Sequence, residues 1–331
     1  LLVSTLKEIF RGNKELFKNL YIYDEYDWNE KYPVIHLSMS NLKGTENLTS
    51  VYESAYLMLE TNAIENGISL KKYGNPAIMF SKLISELSKI NKVVVLIDEY
   101  DKPIVDHLTQ NDVCKRNINF LRDFYSVLKD YDEHIKFCLL TGVSKFSKVS
   151  VFSGLNNLYD ITLDRNFSTI CGITQEEIDK YFDNRLPAIA NEYNITVNEL
   201  KQKIKEWYNG YSWDGKNKLY NPFSILSFFS SFKFDNYWFS SGTPTFLIEK
   251  YRESKTVIED IKEFKIGSTF FDQSEIDIID FRPLLFQTGY LTVKEYDFIN
   301  NIYTLGYPNK EVKDAFLSYI AATFVEKSPG I

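Results

Sequence analysis

The stretch Lys92-Val-Val-Val-Leu-Ile-Asp-Glu-Tyr-Asp101 decides the predicted fold. An uninterrupted apolar run, rich in β-branched residues, is typical of a strand that is buried on both faces, as in a parallel sheet. Asp98, Glu99 and Asp101 follow this run directly. Because ligands of open α/β sheets bind at the carboxyl ends of the strands, we expect these carboxylates to lie at a ligand site.

Further strands and helices alternate around this stretch. Strands are predicted at 32–38, 135–140 and 158–163. Helices are predicted at 1–12, 47–66, 76–89 and 113–129. Strands that alternate with helices in this way indicate a layered α/β domain.

The pattern changes after about residue 172, where helices dominate. Thr174 with Glu177 forms a capping-box signal, and helices are predicted at 175–192, 196–208 and 222–233. Asn309 is the predicted cap of a last helix. We therefore divide the chain into an α/β core at 1–172 and a mainly helical region at 173–331. The helical region could divide further into 173–240 and 241–331.

Composition limits the class of partner. The net charge of −7 disfavours nucleic acid and anionic membranes, although a local basic patch could still bind nucleic acid. The three cysteines have no metal-like spacing, and so few cysteines in a chain of this length indicate a reducing compartment without a disulfide framework. The sequence has no apolar run of about 20 residues and no signal peptide, so we expect a cytoplasmic protein.

The acidic tip of the central strand suggests phosphate chemistry. A P-loop ATPase uses one acid at this position to hold Mg²⁺ through water and a second acid to orient or deprotonate the attacking water. Asp98 is the predicted magnesium-directed acid, and Glu99 is the predicted catalytic acid. A buried strand followed by a solvated acidic turn is the alternative interpretation.

The strand at 135–140 ends in Thr141-Gly-Val-Ser-Lys145. If this strand lies beside the central one, Thr141 or Ser144 would face the γ-phosphate of ATP, since hydroxyls bind phosphate by hydrogen bonds. Lys145 could add positive charge there. A Thr-Gly turn that leaves a strand is the more common interpretation of this segment taken alone.

A phosphate-binding loop is the missing part of this prediction. The chain contains no G-x-x-x-x-G-K-[ST] motif, which counts against a self-sufficient ATPase. Residue 1 is not methionine, and apolar residues already follow helical spacing from Leu2 onward. We therefore expect a fragment of a longer protein, cut at both sides, whose phosphate-binding loop lies immediately before Leu1.

Several segments, taken in order, carry a resemblance to a known family. They are residues 2–7 with 17–20, Val95-Leu-Ile-Asp-Glu-Tyr-Asp-Lys-Pro103, Thr141-Gly-Val-Ser-Lys-Phe146, Phe152-Ser-Gly-Leu-Asn-Asn-Leu158, Cys171-Gly-Ile-Thr174, Trp207-Tyr-Asn-Gly-Tyr211, Tyr220-Asn-Pro-Phe-Ser224 and Leu305-Gly-Tyr-Pro-Asn-Lys-Glu-Val312. Together they resemble the bacterial AAA-ATPase-like family, whose members often carry a C-terminal PD-(D/E)XK nuclease-like domain.

The resemblance implies a three-layer P-loop NTPase core with a parallel sheet, followed by a helical, winged-helix-like region. It implies ATP and Mg²⁺ as ligands, with Asp98 as the magnesium-directed acid and Glu99 as the catalytic acid. Thr141 matches the sensor position only loosely. A nuclease-like domain would begin after Ile331, and the resemblance supplies no substrate beyond ATP.

Three functions remain open from the sequence. The first is an ATPase that uses Glu99, and the second is a slow nucleotide-gated switch or scaffold for a partner or a downstream domain. The third, a nuclease that uses the acidic cluster directly, is least favoured, because Asp98 and Glu99 lack the lysine on a neighbouring strand that such a site needs. An oligomer is compatible with each of them.

Overall fold

In the computed structural model, the central apolar run forms β2 (Val93–Asp98), the middle strand of a parallel sheet with the order β1-β2-β3. The flanking strands are β1 (Val34–Ser38) and β3 (Ile135–Leu140). The register pairs Ser38 with Asp98, and Ile97 with Leu140. Every residue from Val93 to Ile97 is fully buried, as expected for a central parallel strand.

The structure describes residues 1–108, 110–143, 151–152, 154–240, 263–267, 270–271 and 281–325. The chain divides into two compact units, Leu1–Leu158 and Tyr159–Ile331. The predicted boundary at residue 172 was based on the change of helical pattern. The boundary at Leu158 is based on contacts within each unit, so the two criteria differ. No helix among the described residues has both the length and the apolar character needed to span a bilayer.

Helix α1 (Leu2–Phe10) lies against one face of the sheet in the opposite direction to the strands. The Phe10 ring lies 6.0 Å from the Tyr32 ring and 5.3 Å from the Phe137 ring, both towards the amino ends of their strands. Val3 belongs to the same apolar cluster as Leu96, which lies towards the carboxyl end of β2. The amino end of α1 therefore points towards the carboxyl edge of the sheet.

The remaining helices of the first unit are α2 (Ile22–Glu25), α3 (Leu48–Glu65), α4 (Pro76–Ser88), α5 (Lys102–Val105) and α6 (Asn111–Asp130). Side-chain caps begin two of them, since Asn47 accepts a hydrogen bond from the amide of Thr49 and Asn75 accepts one from Ile78. The predicted helices at 47–66, 76–89 and 113–129 are confirmed to within a few residues.

Two asparagines close the outer edge of β1. Asn62 accepts a hydrogen bond from the His36 amide at 2.7 Å and donates one to the His36 carbonyl at 3.0 Å. Asn66 makes the same pair of hydrogen bonds with Val34, at 3.1 and 2.9 Å. A side-chain amide carries both a donor and an acceptor, so it can replace a neighbouring strand. Within the described residues, β3 pairs only with β2.

Two sequence predictions in this part of the chain are wrong. Residues 158–163 are irregular and end in a turn at 162–163 rather than forming a strand, because the Asp160 carboxylate accepts hydrogen bonds from the amide and the hydroxyl of Thr162 at 3.0 and 2.7 Å. The helix predicted over 175–192 is divided into α7 (Gln175–Tyr181) and α8 (Leu186–Glu192). Pro187 stands at the start of α8 and cannot donate the amide hydrogen bond that a continuous helix needs.

The second unit begins with four helices around one apolar core. They are α7, α8, α9 (Val197–Tyr208) and α10 (Pro222–Ser231). Capping boxes begin α7 at Thr174 and α9 at Thr196. A two-stranded sheet of β4 (Asn209–Tyr211) and β5 (Leu219–Tyr220) leads from α9 to α10.

The last part of the second unit contains α11 (Tyr237–Ser240), α12 (Phe281–Gln287), α13 (Lys310–Val325) and an antiparallel sheet. The sheet has the order β6-β8-β7, formed by Glu263–Gly267, Ile302–Gly306 and Thr292–Asp297. Asn309 caps α13 as predicted, since its side chain accepts a hydrogen bond from the Val312 amide at 3.0 Å. Gly210 lies so close to Pro308 that an added Cβ would stand 2.1 Å from the Pro308 carbonyl oxygen.

Candidate active site

Three polar side chains meet at the carboxyl edge of the parallel sheet. Ser38 pairs with Asp98 at the ends of β1 and β2, and Thr141 follows the last residue of β3. The Thr141 hydroxyl donates a hydrogen bond to Oδ1 of Asp98. The Thr141 amide also donates to the Ile97 carbonyl at 2.9 Å, so the hydroxyl is fixed beside Asp98 by the ladder of the sheet. All three side chains are half-buried, which leaves Asp98 accessible to a ligand.

Glu99 stands in an unusual backbone conformation next to this row. Its φ angle of +53° lies in the left-handed region, which costs a non-glycine residue free energy. The Glu99 amide donates to Oδ1 of Asp98 at 3.1 Å, and Oε2 of Glu99 accepts a hydrogen bond from the Ser40 hydroxyl. The turn therefore directs the two acids differently, with Asp98 towards Thr141 and Glu99 towards Ser40.

Asp101 has a structural position, although the sequence places it with the other two acids. It is almost completely buried, and its Oδ1 accepts a hydrogen bond from the Val143 amide at 3.1 Å. The Tyr100 amide donates to the Thr141 carbonyl at 2.8 Å. The turn after β2 is thus fastened to the turn after β3, which fixes Asp98 and Thr141 relative to each other.

Helix α6 holds the same turn from the other side. The Tyr125 hydroxyl donates to the Tyr100 carbonyl at 3.0 Å, and Asn117 donates to the Pro103 carbonyl at 2.7 Å. Burial, followed by the nearby charge of Asp101, raises the pKa of Tyr125 well above its ordinary value. The phenol therefore remains a hydrogen-bond donor at any physiological pH. These contacts make the acidic turn a rigid part of the fold.

Two further site residues were predicted, Ser144 and Lys145. Ser144 and Lys145 lie outside the residues that the structure describes. Lys102, the lysine closest in sequence to the acids, forms an ion pair with Asp106 at 2.6 Å. β3 lies beside β2, as the interpretation of Thr141 required, and Thr141 contacts Asp98. The roles of Asp98, Glu99 and Thr141 and the places of Ser144 and Lys145 remain predictions.

The oxygen atoms at this edge suit a hard cation such as Mg²⁺. Asp98 supplies a carboxylate, and Ser38 and Thr141 supply hydroxyls on either side of it. Among the described residues, no group of three or more His, Cys, Asp or Glu side chains could hold a metal ion. One carboxylate with hydroxyls and water fits magnesium bound together with a nucleotide, since Mg²⁺ keeps several waters and uses few protein carboxylates.

Ser38 and Ser40 were not predicted as site residues. Both follow from a signal that was available, because the segment 32–38 was predicted as a strand and its carboxyl end carries Ser38-Met-Ser40. Polar residues at the ends of parallel strands meet at one edge of the sheet. The hydrogen bond from Ser40 to Glu99, in contrast, depends on the left-handed turn at Glu99, which the sequence does not reveal.

Comparison with known proteins agrees with this geometry. Residues 1–152 match the model of a family described as predicted AAA-ATPase. Over these residues the chain is similar to that family. The matched part of the chain contains the whole parallel sheet, both acids and Thr141.

A relative extends the similarity beyond the matched core. The chain is 38% identical over 319 residues to an uncharacterized protein from the region 5′ to vnfD of Azotobacter chroococcum mcd 1. The aligned part covers 95% of this chain and 59% of the relative, so the chain spans about three fifths of the relative's length. No solved structure matches the chain.

Proposed function

We propose that this chain carries the hydrolytic part of a magnesium-dependent ATPase site that is completed in a longer protein. Asp98 directs Mg²⁺, through water, and Glu99 orients or deprotonates the attacking water. The proposal rests mainly on the two acids at the carboxyl edge of a parallel sheet, with hydroxyls on the neighbouring strands. This edge is where open α/β sheets bind ligands.

The direction of α1 supports a nucleotide site at this edge. Its amino end points towards Asp98, and the amide groups and dipole of a helix amino end favour phosphate. The outer edge of β1 is closed by Asn62 and Asn66, whereas β3 pairs only with β2 in the described chain. We therefore propose that a further strand and a phosphate-binding loop lie beside β3 and lead into Leu1.

Each residue of the site has a separate task in this scheme. Bound MgATP would supply the scissile phosphate and the charge that offsets the developing negative charge of the reaction. Asp98 would bind Mg²⁺ through water, and the hydrogen bond from the Thr141 hydroxyl keeps the Asp98 carboxylate oriented. Glu99 accepts the proton of the attacking water once its hydrogen bond with Ser40 is broken. Ser144 and Lys145 are proposed to face the phosphates.

A slow nucleotide-gated switch is the second candidate, and one observation favours it. Ser40 donates a hydrogen bond to Oε2 of Glu99 and therefore competes with the attacking water for one of the two carboxylate oxygens. In such a switch, ATP would persist and a downstream nuclease-like domain or a separate partner would respond to the bound state. The two candidates share the nucleotide site and differ in the rate of turnover.

A binding experiment tests the site that both candidates share. In the full-length protein, Asp98→Asn should weaken magnesium-dependent ATP binding at least about tenfold, equivalent to about 1.4 kcal/mol, because the cation loses its carboxylate. Glu99→Gln should leave this affinity nearly unchanged. Asp106→Asn is the control, since Asp106 is exposed just after α5 and pairs with Lys102. Equal affinities with and without Mg²⁺ in all four proteins would contradict the proposal.

A further inference from the structure

Three segments of the second unit converge on the side chain of Glu311. They are Trp207–Tyr211, Tyr220–Ser224 and Leu305–Val312, which the proposed ATPase site does not use. Glu311, in the first turn of α13, is completely buried. A buried carboxyl group is costly unless it is paired or protonated, so its surroundings are informative.

The Glu311 carboxyl group joins three helices. Its Oε1 accepts a hydrogen bond from the Trp238 amide of α11 at 2.8 Å and one from the Ser224 hydroxyl of α10 at 3.1 Å. Its Oε2 is buried and has no hydrogen-bond partner in the described chain. The hydrogen bond from the Trp238 amide therefore holds the short helix α11 against α10 and α13.

The groups that face this carboxyl group are phenols and another acid. Burial, with the charge of Glu311 among the further causes, raises the pKa values of Tyr208 in α9 and Tyr211 in β4. Asp235, just before α11, and the Tyr237 amide, at the start of α11, also face Glu311. Among the described residues, no lysine or arginine pairs with Glu311. These surroundings favour the neutral acid over the carboxylate.

Lys310 comes immediately before Glu311 in α13, but its side chain is engaged elsewhere. It forms an ion pair with Asp314, and its ammonium group lies 5.1 Å from the centre of the Trp207 ring. The neighbouring positive charge in the sequence is therefore directed away from the buried carboxyl group.

We propose that Glu311 is a proton-dependent clasp, which in its protonated form fastens α11 onto α10 and α13. When the proton leaves to solvent, the buried carboxylate favours the state in which α11 has separated and water reaches the group. The clasp is a conformational device of the second unit. It does not depend on the proposed ATPase site.

The sign of the pH dependence follows from the raised pKa. Burial raises the pKa of Glu311 above its ordinary value of 4.5, and the hydrogen bonds from Trp238 and Ser224 oppose part of this increase. Because the pKa of Glu311 is raised when α11 is docked, protonation stabilises the docked state. This stabilisation is fully present below pH 4.5, the ordinary pKa of the exposed group, and is lost as the pH rises through the raised pKa of the docked state. Opening of α11 should therefore increase about tenfold per pH unit between these two values and level off above them.

Amide hydrogen exchange at Trp238 measures this opening directly. With backbone ¹⁵N-labelled tryptophan, the Trp238 amide of the 331-residue chain can be followed by NMR, and the amide of Trp207 in α9 is an internal control. After correction for intrinsic base catalysis, the wild-type exchange rate at Trp238 should rise about tenfold per pH unit between the ordinary and the raised pKa of Glu311. Glu311→Gln should remove the rise, and Glu206→Gln, at an exposed position in α9, should retain it.

Two results would overturn the clasp. The first is the same pH dependence at Trp238 in wild type and Glu311→Gln. The second, which serves if Glu311→Gln does not fold, comes from Ser224→Ala. Loss of the Ser224 hydrogen bond should raise the pKa of Glu311 further and extend the rise to higher pH, so an unchanged profile in Ser224→Ala contradicts the clasp.

Discussion

Replacement of Gly142 by alanine tests the connection between the two turns of the candidate site. Gly142 follows Thr141 and lies against the turn after β2. An added Cβ would stand 2.5 Å from Oδ1 of Asp101 and 2.5 Å from a ring carbon of Tyr100. Both neighbours are buried and held by α6 or by backbone hydrogen bonds, so neither can move without loss of a contact.

The expected cost follows from two contributions. Overpacking of a filled site typically costs about 1–3 kcal/mol. If Asp101 moves away from the Val143 amide, the lost hydrogen bond adds about 1 kcal/mol. We therefore expect Gly142→Ala to lower the free energy of unfolding by about 2–4 kcal/mol. The shift should also displace Thr141 from Asp98, which would weaken magnesium-dependent ATP binding in the full-length protein.

Urea denaturation of the whole chain, followed by circular dichroism, measures this cost. Gly154→Ala is the matched control, because no atom lies within 4 Å of an added Cβ at Gly154. This control should be neutral or stabilise by a few tenths of a kcal/mol, since alanine reduces the entropy of the unfolded chain. If Gly142→Ala unfolds at the same urea concentration as Gly154→Ala, the tight contact between the two turns is refuted.

Three further predictions concern the edge strand, the acid and the nucleotide. Asn62→Ala should lower the free energy of unfolding by about 1–3 kcal/mol, because two hydrogen bonds to the half-buried amide and carbonyl of His36 are lost. A loss below about 0.5 kcal/mol in urea denaturation would contradict this. Ser40→Ala should raise the basal ATP turnover of the full-length protein, because it frees the Glu99 carboxylate, and unchanged or lower turnover would argue against a restraining role. The 331-residue chain alone should bind ATP more weakly than about 1 µM in calorimetry, since it has no phosphate-binding loop motif; tight binding would show that other residues build the site.

The sheet was predictable because burial on both faces leaves an unbroken apolar run. The run Val93–Ile97 and the alternation of strands with helices therefore indicated β1, β2, β3 and most helices correctly. The irregular segment at 158–163 was not predictable from its apolar residues, because a local hydrogen bond from Thr162 to the Asp160 carboxylate opposes the extended conformation.

The candidate site was predictable in part. Adjacent parallel strands bring Asp98 and Thr141 together, so their pairing follows from the order of the elements. The sequence could not distinguish Asp101 from the other two acids. Whether a carboxylate binds a ligand or accepts a hydrogen bond from a neighbouring turn depends on the tertiary structure. Glu311 was missed for a related reason: a charged residue in the first turn of a helix is usually exposed.

The most direct test of the proposed role of Glu99 is steady-state ATP hydrolysis by the full-length protein, measured beside its Glu99→Gln variant. We expect magnesium-dependent turnover in wild type and its loss in Glu99→Gln, while the variant still binds ATP. If wild type hydrolyses ATP no faster than Glu99→Gln, Glu99 is not a catalytic acid and the ATPase proposal is contradicted.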